Sequence, residues 1–540
     1  LTHTSDQVNK IGLMTTVAFL VLGIYTLALL YITVYCVMQF NLLYYYKRGR
    51  RKTPEELILE QTPVPAQLAT ASTTTTATID DGGVLIATAD NDSEVYPFVT
   101  VQLPIYNEMY VIGRLIDAVT QFDYPKDRFE IHILDDSTDE TIDIVAEKVR
   151  EYQAKGFQIA QITREKRTGF KAGALRDGMA AAKGEFMAIF DADFIPNPDF
   201  LQRTIPFFQD QSVGVVQTRW EHINEDYSLI TRLQALQLNV HFTVEQVGRM
   251  NGEYLLQFNG TAGVWRRQTI EDAGGWEADT LTEDFDLSIR AQLKGYKIRF
   301  LENVGSPAEL PAEMNSFKSQ QFRWMKGGAE TAKKMLPTVW NSDLSRNQKI
   351  HATSHLLGST IFVFVFLTGV SSVPLLFFLS DLIELGFSKN FFAYFLVGLL
   401  SIIGIYYVAN IQSPANQEKD LGKAIIKFVV LFPLFLSLSM GLALHNTVAV
   451  FEGYRGKKSP FVRTPKFNIK SMKDSFAKRN YLSTKISWTT IGEGLLSVYF
   501  FAAVAGAFYV QNTTFIIFHL MLALGYGAIF WFSLRHARVS

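Results

Sequence analysis

The sequence predicts an α/β domain with a parallel sheet, set between α-helical membrane segments. Three observations carry this. Short β-branched runs alternate with helical patterns between residues 98 and 193. Apolar runs long enough to span a bilayer stand on both sides of that region, and acidic residues fall where the strands stop.

The 540 residues hold 51 Lys and Arg against 52 Asp and Glu, a formal net charge of −1. That balance provides no global basic field for nucleic acid. Charged residues make up 19%, below the usual quarter, and aromatics 13% with 42 Phe. The bias suits a chain partly in water and partly in lipid. Cys36 is the one cysteine, so neither an intrachain disulfide nor a cysteine metal cluster can form.

A membrane helix needs about 20 apolar residues. Ile11–Phe40 qualifies and is followed by KRGRRK (47–52). It is too long for a signal-peptide core and lacks a small-residue cleavage site, so it reads as a retained span. The runs near 356–379, 391–411, 490–510 and 514–534 also qualify, while 428–444 is borderline, with Pro433 in its middle. The positive-inside rule decides the borderline case. If 428–444 crossed, the stretch 455–485, with ten Lys and Arg, would be exported. Five spans are therefore expected, with the N-terminus outside, the C-terminus inside and 424–450 along the cytoplasmic interface.

The Thr- and Ala-rich stretch 61–96 reads as a linker. Organisation begins with the strand FVTVQLP (98–104), then PIYNE, and a helical pattern over 108–121. FEIHILDD (129–136) is a strand ending on two aspartates; a helix over 139–154 and the strand FQIAQIT (157–163) follow. Another helix starts near 170, and EFMAIFDAD (185–193) is a buried strand that again ends on acids. Strands alternating with helices imply a parallel sheet, whose ligands bind beyond the carboxyl ends of strands.

Asp191 and Asp193 emerge from such a strand. Two close carboxylates repel unless a cation lies between them, and a hard divalent ion on a diphosphate would supply it. With no glycine-rich phosphate loop in the chain, side chains must help hold the phosphates. Arg164, Lys166, Arg167 and Lys171 are available, and Lys171 opens an Ala-rich helix, where anions bind well. TED (282–284) precedes a helical stretch. Thr282 and the two acids suit an N-cap, or a general base beside a metal site. QFNGTAGVWRR (257–267) allows close ligand approach at Gly260, and Trp265 and Trp324 offer faces for sugar stacking. His351 and His355, and Glu493 within an apolar run, read as structural.

Asp135/Asp136, Asp191-x-Asp193, Thr282-Glu283-Asp284 and Gln320-x-x-Arg323-Trp324 occur in that order. The set resembles the D, DxD, TED, QxxRW signature of processive family-2 glycosyltransferases, such as cellulose, hyaluronan and chitin synthases. FNGTAGVWR and QQFRW look most like the cellulose-synthase-like A and C groups and their bacterial relatives. The likeness covers about 98–470. It implies a cytoplasmic GT-A-like, Rossmann-like mixed sheet inserted in an α-helical transmembrane bundle.

It also implies roles. Tyr106, Glu108, Asp135 and Asp136 would contact the nucleoside, with Lys171 near the donor. Asp191 and Asp193 would hold nucleotide and metal, magnesium or manganese. Asp284 would be the base, flanked by Glu283 and Thr282. Gln320 and Arg323 would hold the channel mouth and the donor diphosphate, with Trp324 stacking on the acceptor. FVRTPK (461–466) resembles a gating loop over the donor, with Phe461, Arg463, Thr464 and Lys466; Arg463 stands where cellulose synthases have Val. No cyclic-dinucleotide-binding domain is expected.

The expected division is 1–52 first span and basic flank, 53–96 linker, 97–340 catalytic domain, 341–423 membrane hairpin, 424–486 interfacial helix and gating loop, and 487–540 C-terminal hairpin. The implied activity is inverting, processive synthesis of a β-linked mannan, glucomannan or β-1,4-glucan from GDP-mannose or UDP-glucose. The polymer would leave through the chain's own channel, across a plasma, inner or Golgi membrane. The rival is transfer of one sugar to a lipid acceptor.

Overall fold

The computed structural model describes residues 2–49, 96–388, 390–413, 420–459, 462–469, 471, 474–476, 480–481 and 486–539. The expected linker lies almost wholly outside these, as do residues 50–52 of the basic flank and Phe461.

Seven strands form one sheet in the order β3-β2-β1-β4-β6-β5-β7. They are β1 (Val99–Ile105), β2 (Phe129–Asp135), β3 (Ile159–Thr163), β4 (Phe186–Ile189), β5 (Val213–His222), β6 (Gly263–Arg266) and β7 (Lys297–Ala308). β1 to β4 are mutually parallel, joined by the helices α1 (Ile112–Val119), α2 (Thr141–Ala154) and α3 (Phe170–Met179). The alternation read from the sequence places these elements to within a few residues.

The sheet as a whole is mixed, as the resemblance implied, with the parallel alternation read from the sequence holding over β1 to β4. β6 runs antiparallel to both β4 and β5, while β5 and β7 pair in parallel. β6 has four residues and directly follows the tight turn at Gly260 and Ala262, both with positive φ. β1, β2, β4 and the first seven residues of β5 are buried almost throughout, as a sheet covered on both faces requires.

Beyond β5, the helix α4 (Leu229–Val240) leads into a π-helical turn, His241–Glu245. α5 (Glu283–Leu293) precedes β7, and α6 (Met314–Trp340) carries QQFRW out of the sheet domain. Gly327 of α6 crosses the TED turn so closely that a Cβ there would lie 2.6 Å from the Thr282 methyl carbon. Only glycine lets the two segments meet at this distance.

Among the described residues, six helices are long and apolar enough to cross a membrane: Met14–Arg48, Arg346–Glu384, Phe391–Gln412, Leu421–Gly441, Trp488–Tyr509 and Ile516–Arg538. The first packs along the second and third, and the fourth along the sixth. Leu421–Gly441, expected at the interface, thus meets the length and composition of a span. Its ends are informative. Lys427 pairs with Glu225 of the sheet domain at 3.2 Å, and the next helix, α7 (Ala443–Arg455), brings Glu452 to 3.4 Å from Lys326 of α6. The stretch 421–455 therefore contacts the sheet domain near its start and α6 near its end.

Candidate functional site

The carboxyl ends of β1, β2 and β4 turn toward one another. Asn107, with φ of 57°, closes the turn after β1; its side-chain oxygen accepts from the Thr138 amide at 2.8 Å. This ties PIYNE to the DDST turn. Tyr106 lies beneath the Arg167 guanidinium, whose centre is 3.4 Å from the ring centroid. Arg164 donates to both oxygens of Asp136, at 3.0 and 2.5 Å. Two of the four basic candidates thus organise the turns around the site.

Asp135 and Asp136 part company. Asp136 lines the central cavity; Asp135 is buried and accepts from the Ser137 amide and the Gln161 side chain, both at 2.8 Å. Successive residues of a strand point to opposite faces, so only one of the pair can face the ligand side. Asp135, expected to contact the nucleoside, does not line the cavity and is held by Ser137 and Gln161 instead.

β4 ends at the DAD turn. The Asp191 amide donates to Thr261 Oγ1 at 2.8 Å, and the Lys171 ammonium reaches Asp191 Oδ1 at 2.5 Å and the Gly260 carbonyl at 2.9 Å. Gly260 is left-handed, with φ of 78°. A Cβ there would lie 3.1 Å from Asp284 Oδ2 and 3.4 Å from Lys171 Nζ. DxD, TED and FNGTA therefore converge on Lys171.

Thr282 precedes α5 but makes no side-chain cap; its hydroxyl meets that of Thr331 at 3.0 Å. The TED acids serve the cavity instead. Burial, then the neighbouring Glu283 charge, pushes Asp284 up to about 7, with Lys171 opposing. Burial likewise raises Glu283. Glu108 is raised to about 7 by burial, against the pull of Arg463, which pairs with it at 2.6 Å. Perturbed carboxyls around one lysine in a cleft mark a candidate functional site.

Gln320, Arg323 and Trp324 line the same cavity, as do Thr464 and Lys466. Arg323 donates to Thr464 Oγ1 at 2.9 Å. The cavity holds about 1060 Å³ and is continuous from the carboxylates to Tyr25, Phe395, Thr514 and Phe518 among the apolar helices.

Trp265 is a further correction. It is fully buried, packed against Phe258 and Trp276, and does not line the cavity. On β6, in the middle of the sheet, its ring fills the core and offers no face to a sugar. His351 stacks on Tyr254 and His355 lies against Phe285, while Glu493 is buried beside Lys318 at 2.7 Å.

Sequence reasoning missed a hydrogen-bonded chain on the cavity wall. Gln246 donates to Asn259 Oδ1 at 2.8 Å, Asn259 Nδ2 lies 2.8 Å from His241 Nε2, and His241 Nδ1 lies 3.0 Å from Glu245. The Gln246 bond orients the Asn259 amide, so His241 accepts at Nε2 and donates from Nδ1. His and Glu at i and i+4 in the apolar run LNVHFTVEQV were the available signal.

Residues 97–327 match the family described as "Glycosyltransferase like family 2". Among curated relatives, glucomannan 4-beta-mannosyltransferase 1 of Oryza sativa subsp. japonica is 44% identical over 272 residues, covering 48% of this chain and 52% of the relative. Glucomannan 4-beta-mannosyltransferase 2 of Arabidopsis thaliana is 41% identical over 263 residues, covering 48% of each. The chain thus spans about half the length of these relatives. Among solved structures, the mannosyltransferase PcManGT from Pyrobaculum calidifontis in complex with GDP-Man and Mn2+ is 17% identical with a TM-score of 0.46, covering 80% of this chain and all (100%) of that one. The sheet and its ordered acidic motifs thus lie within the stretch, residues 97–327, that matches the family-2 glycosyltransferase description.

Proposed function

We propose that the protein is an inverting hexosyltransferase that builds a β-linked polysaccharide from a nucleotide sugar and passes it along its own membrane cavity. The convergence of Asp284, Gly260, Lys171 and Asp191 at one end of that cavity carries the reading. GDP-mannose is the favoured donor, because the relatives are named as mannosyltransferases.

In this mechanism Asp284 takes the proton of the acceptor hydroxyl. The freed oxygen bonds to the anomeric carbon from the face opposite the nucleotide, and the bond to the diphosphate breaks. A carboxyl near 7 suits a base that must be free at neutral pH. Lys171 and Arg323 supply positive charge for the departing diphosphate. Asp191 and Asp193 offer carboxylate oxygens on one tight turn, a donor set that fits magnesium or manganese. A bound divalent ion would neutralise diphosphate charge there. Trp324 would stack on the acceptor sugar.

The membrane reading keeps five crossings. The stretch 421–455 enters and returns on one side, a reading supported by its pairing with Glu225 of the sheet domain near its start and with Lys326 of α6, just past QQFRW, near its end. The catalytic domain is cytoplasmic by the positive-inside rule.

The test is purified protein in nanodiscs with manganese or magnesium and radiolabelled GDP-mannose or UDP-glucose, each separately. The expected product is a long polymer cut by a linkage-specific β-mannanase. A single-sugar, solvent-extractable product would overturn the polymer reading in favour of a lipid acceptor.

A further inference from the structure

Residues 462–469 form an irregular segment folded onto the acidic site. Lys466, almost wholly buried, places Nζ 2.5 Å from Asp193 Oδ2 and also donates to the Glu309 carbonyl. The Phe467 amide donates to Glu309 Oε1 at 2.9 Å. Arg114 binds Glu309 Oε2 at 2.8 Å, Asn468 Oδ1 at 2.6 Å and the Asp193 carbonyl at 3.3 Å. Phe467 and Ile469 are buried beside Ala312. Lys466 is therefore held in a built seat made by Arg114 and Glu309, neither of which any sequence motif marked.

Each carboxylate of the DxD turn thus has its own ammonium, Lys171 on Asp191 and Lys466 on Asp193. Their anchorage differs. Lys171 belongs to α3 and is also bound to the Gly260 carbonyl. Lys466 belongs to a segment with no helix or strand. A divalent ion on Asp193 would place two cations against one carboxylate in a site shielded from water, where like charges repel strongly. A diphosphate brings the negative charge that lets both cations stay.

We propose that Lys466 and a divalent cation exclude each other at Asp193 unless a nucleoside diphosphate is present. The site then refuses the bare ion and takes it together with the nucleotide, which sets the order of binding. This rests on the reading of Asp191 and Asp193 as the cation site.

The experiment is a Mn2+ titration of the full chain in detergent, with free Mn2+ measured by electron paramagnetic resonance and no nucleotide added. Lys466→Met should bind Mn2+ roughly tenfold or more tighter than the parent, by relief of repulsion. Adding Asp193→Asn to that variant should remove the gain. Glu309→Gln, which keeps Lys466 but weakens its seat, should shift affinity the same way by a smaller factor. Adding GDP to the parent should bring its Mn2+ affinity toward that of Lys466→Met. Equal affinity of parent and Lys466→Met for Mn2+ alone, whether tight or absent, would overturn the proposal. The readout needs no turnover, so a failure to transfer sugar would count against the proposed activity and leave this result standing.

Discussion

The α-carbon of Gly260 faces Asp284 so closely that a methyl group there would sit 3.1 Å from the carboxylate, on a backbone already in the left-handed region. The TED motif and the FNGTA turn are thereby one unit. Gly260→Ala should cost about 1–2 kcal/mol of stability through its positive φ. It should also displace the proposed base, and a carboxylate moved by a fraction of an ångström from a reacting hydroxyl lowers turnover roughly tenfold or more. A thermal melt and a steady-state assay on the same preparation separate the two effects.

Asp284→Asn keeps the shape and hydrogen-bonding reach of the side chain but not its basicity. Transfer should fall roughly 10²–10⁴-fold, the usual contribution of a positioned base. Donor binding, read by calorimetry with GDP-mannose, should remain within a few-fold of the parent. Normal turnover by this variant would mean that another group takes the proton.

The rate should depend on pH with a single acidic limb. The proposed base, Asp284, would work in its charged form, and burial beside Glu283 raises it to about 7. Activity is thus lost as pH falls through about 7 and is full above it. Lys171 opposes that rise. Lys171→Met should therefore move the limb to higher pH as well as weaken donor binding. A pH profile of kcat/KM for the two proteins shows the displacement or its absence.

Trp265 and Trp324 should behave oppositely. Trp265→Ala empties a fully buried site between Phe258 and Trp276 and should cost about 3–5 kcal/mol of stability, as large-to-small core changes do. Trp324 lines the cavity and is only partly buried. Trp324→Ala should leave the melting temperature within a few degrees and raise the KM for acceptor or shorten the product. Denaturant melts and product sizing decide it.

Much of this molecule was legible in one dimension. β1 to β4 and their helices follow from local periodicity, since a buried strand and an amphipathic helix each leave a pattern within a dozen residues. The order of acids along the chain identified the motifs, because each sits at a strand or helix end that its own neighbours define. Tertiary structure decided what depends on distant segments. The direction of β6, the inward turn of Asp135 and the burial of Trp265 follow from strand pairing and facing, which no local pattern encodes. The seat of Lys466 joins residues 114, 193, 309 and 466, far apart in sequence and adjacent only after folding. The same holds for Asp284. Its residue type was plain from the TED triplet, but its raised proton affinity comes from burial and from the charges that folding gathers around it.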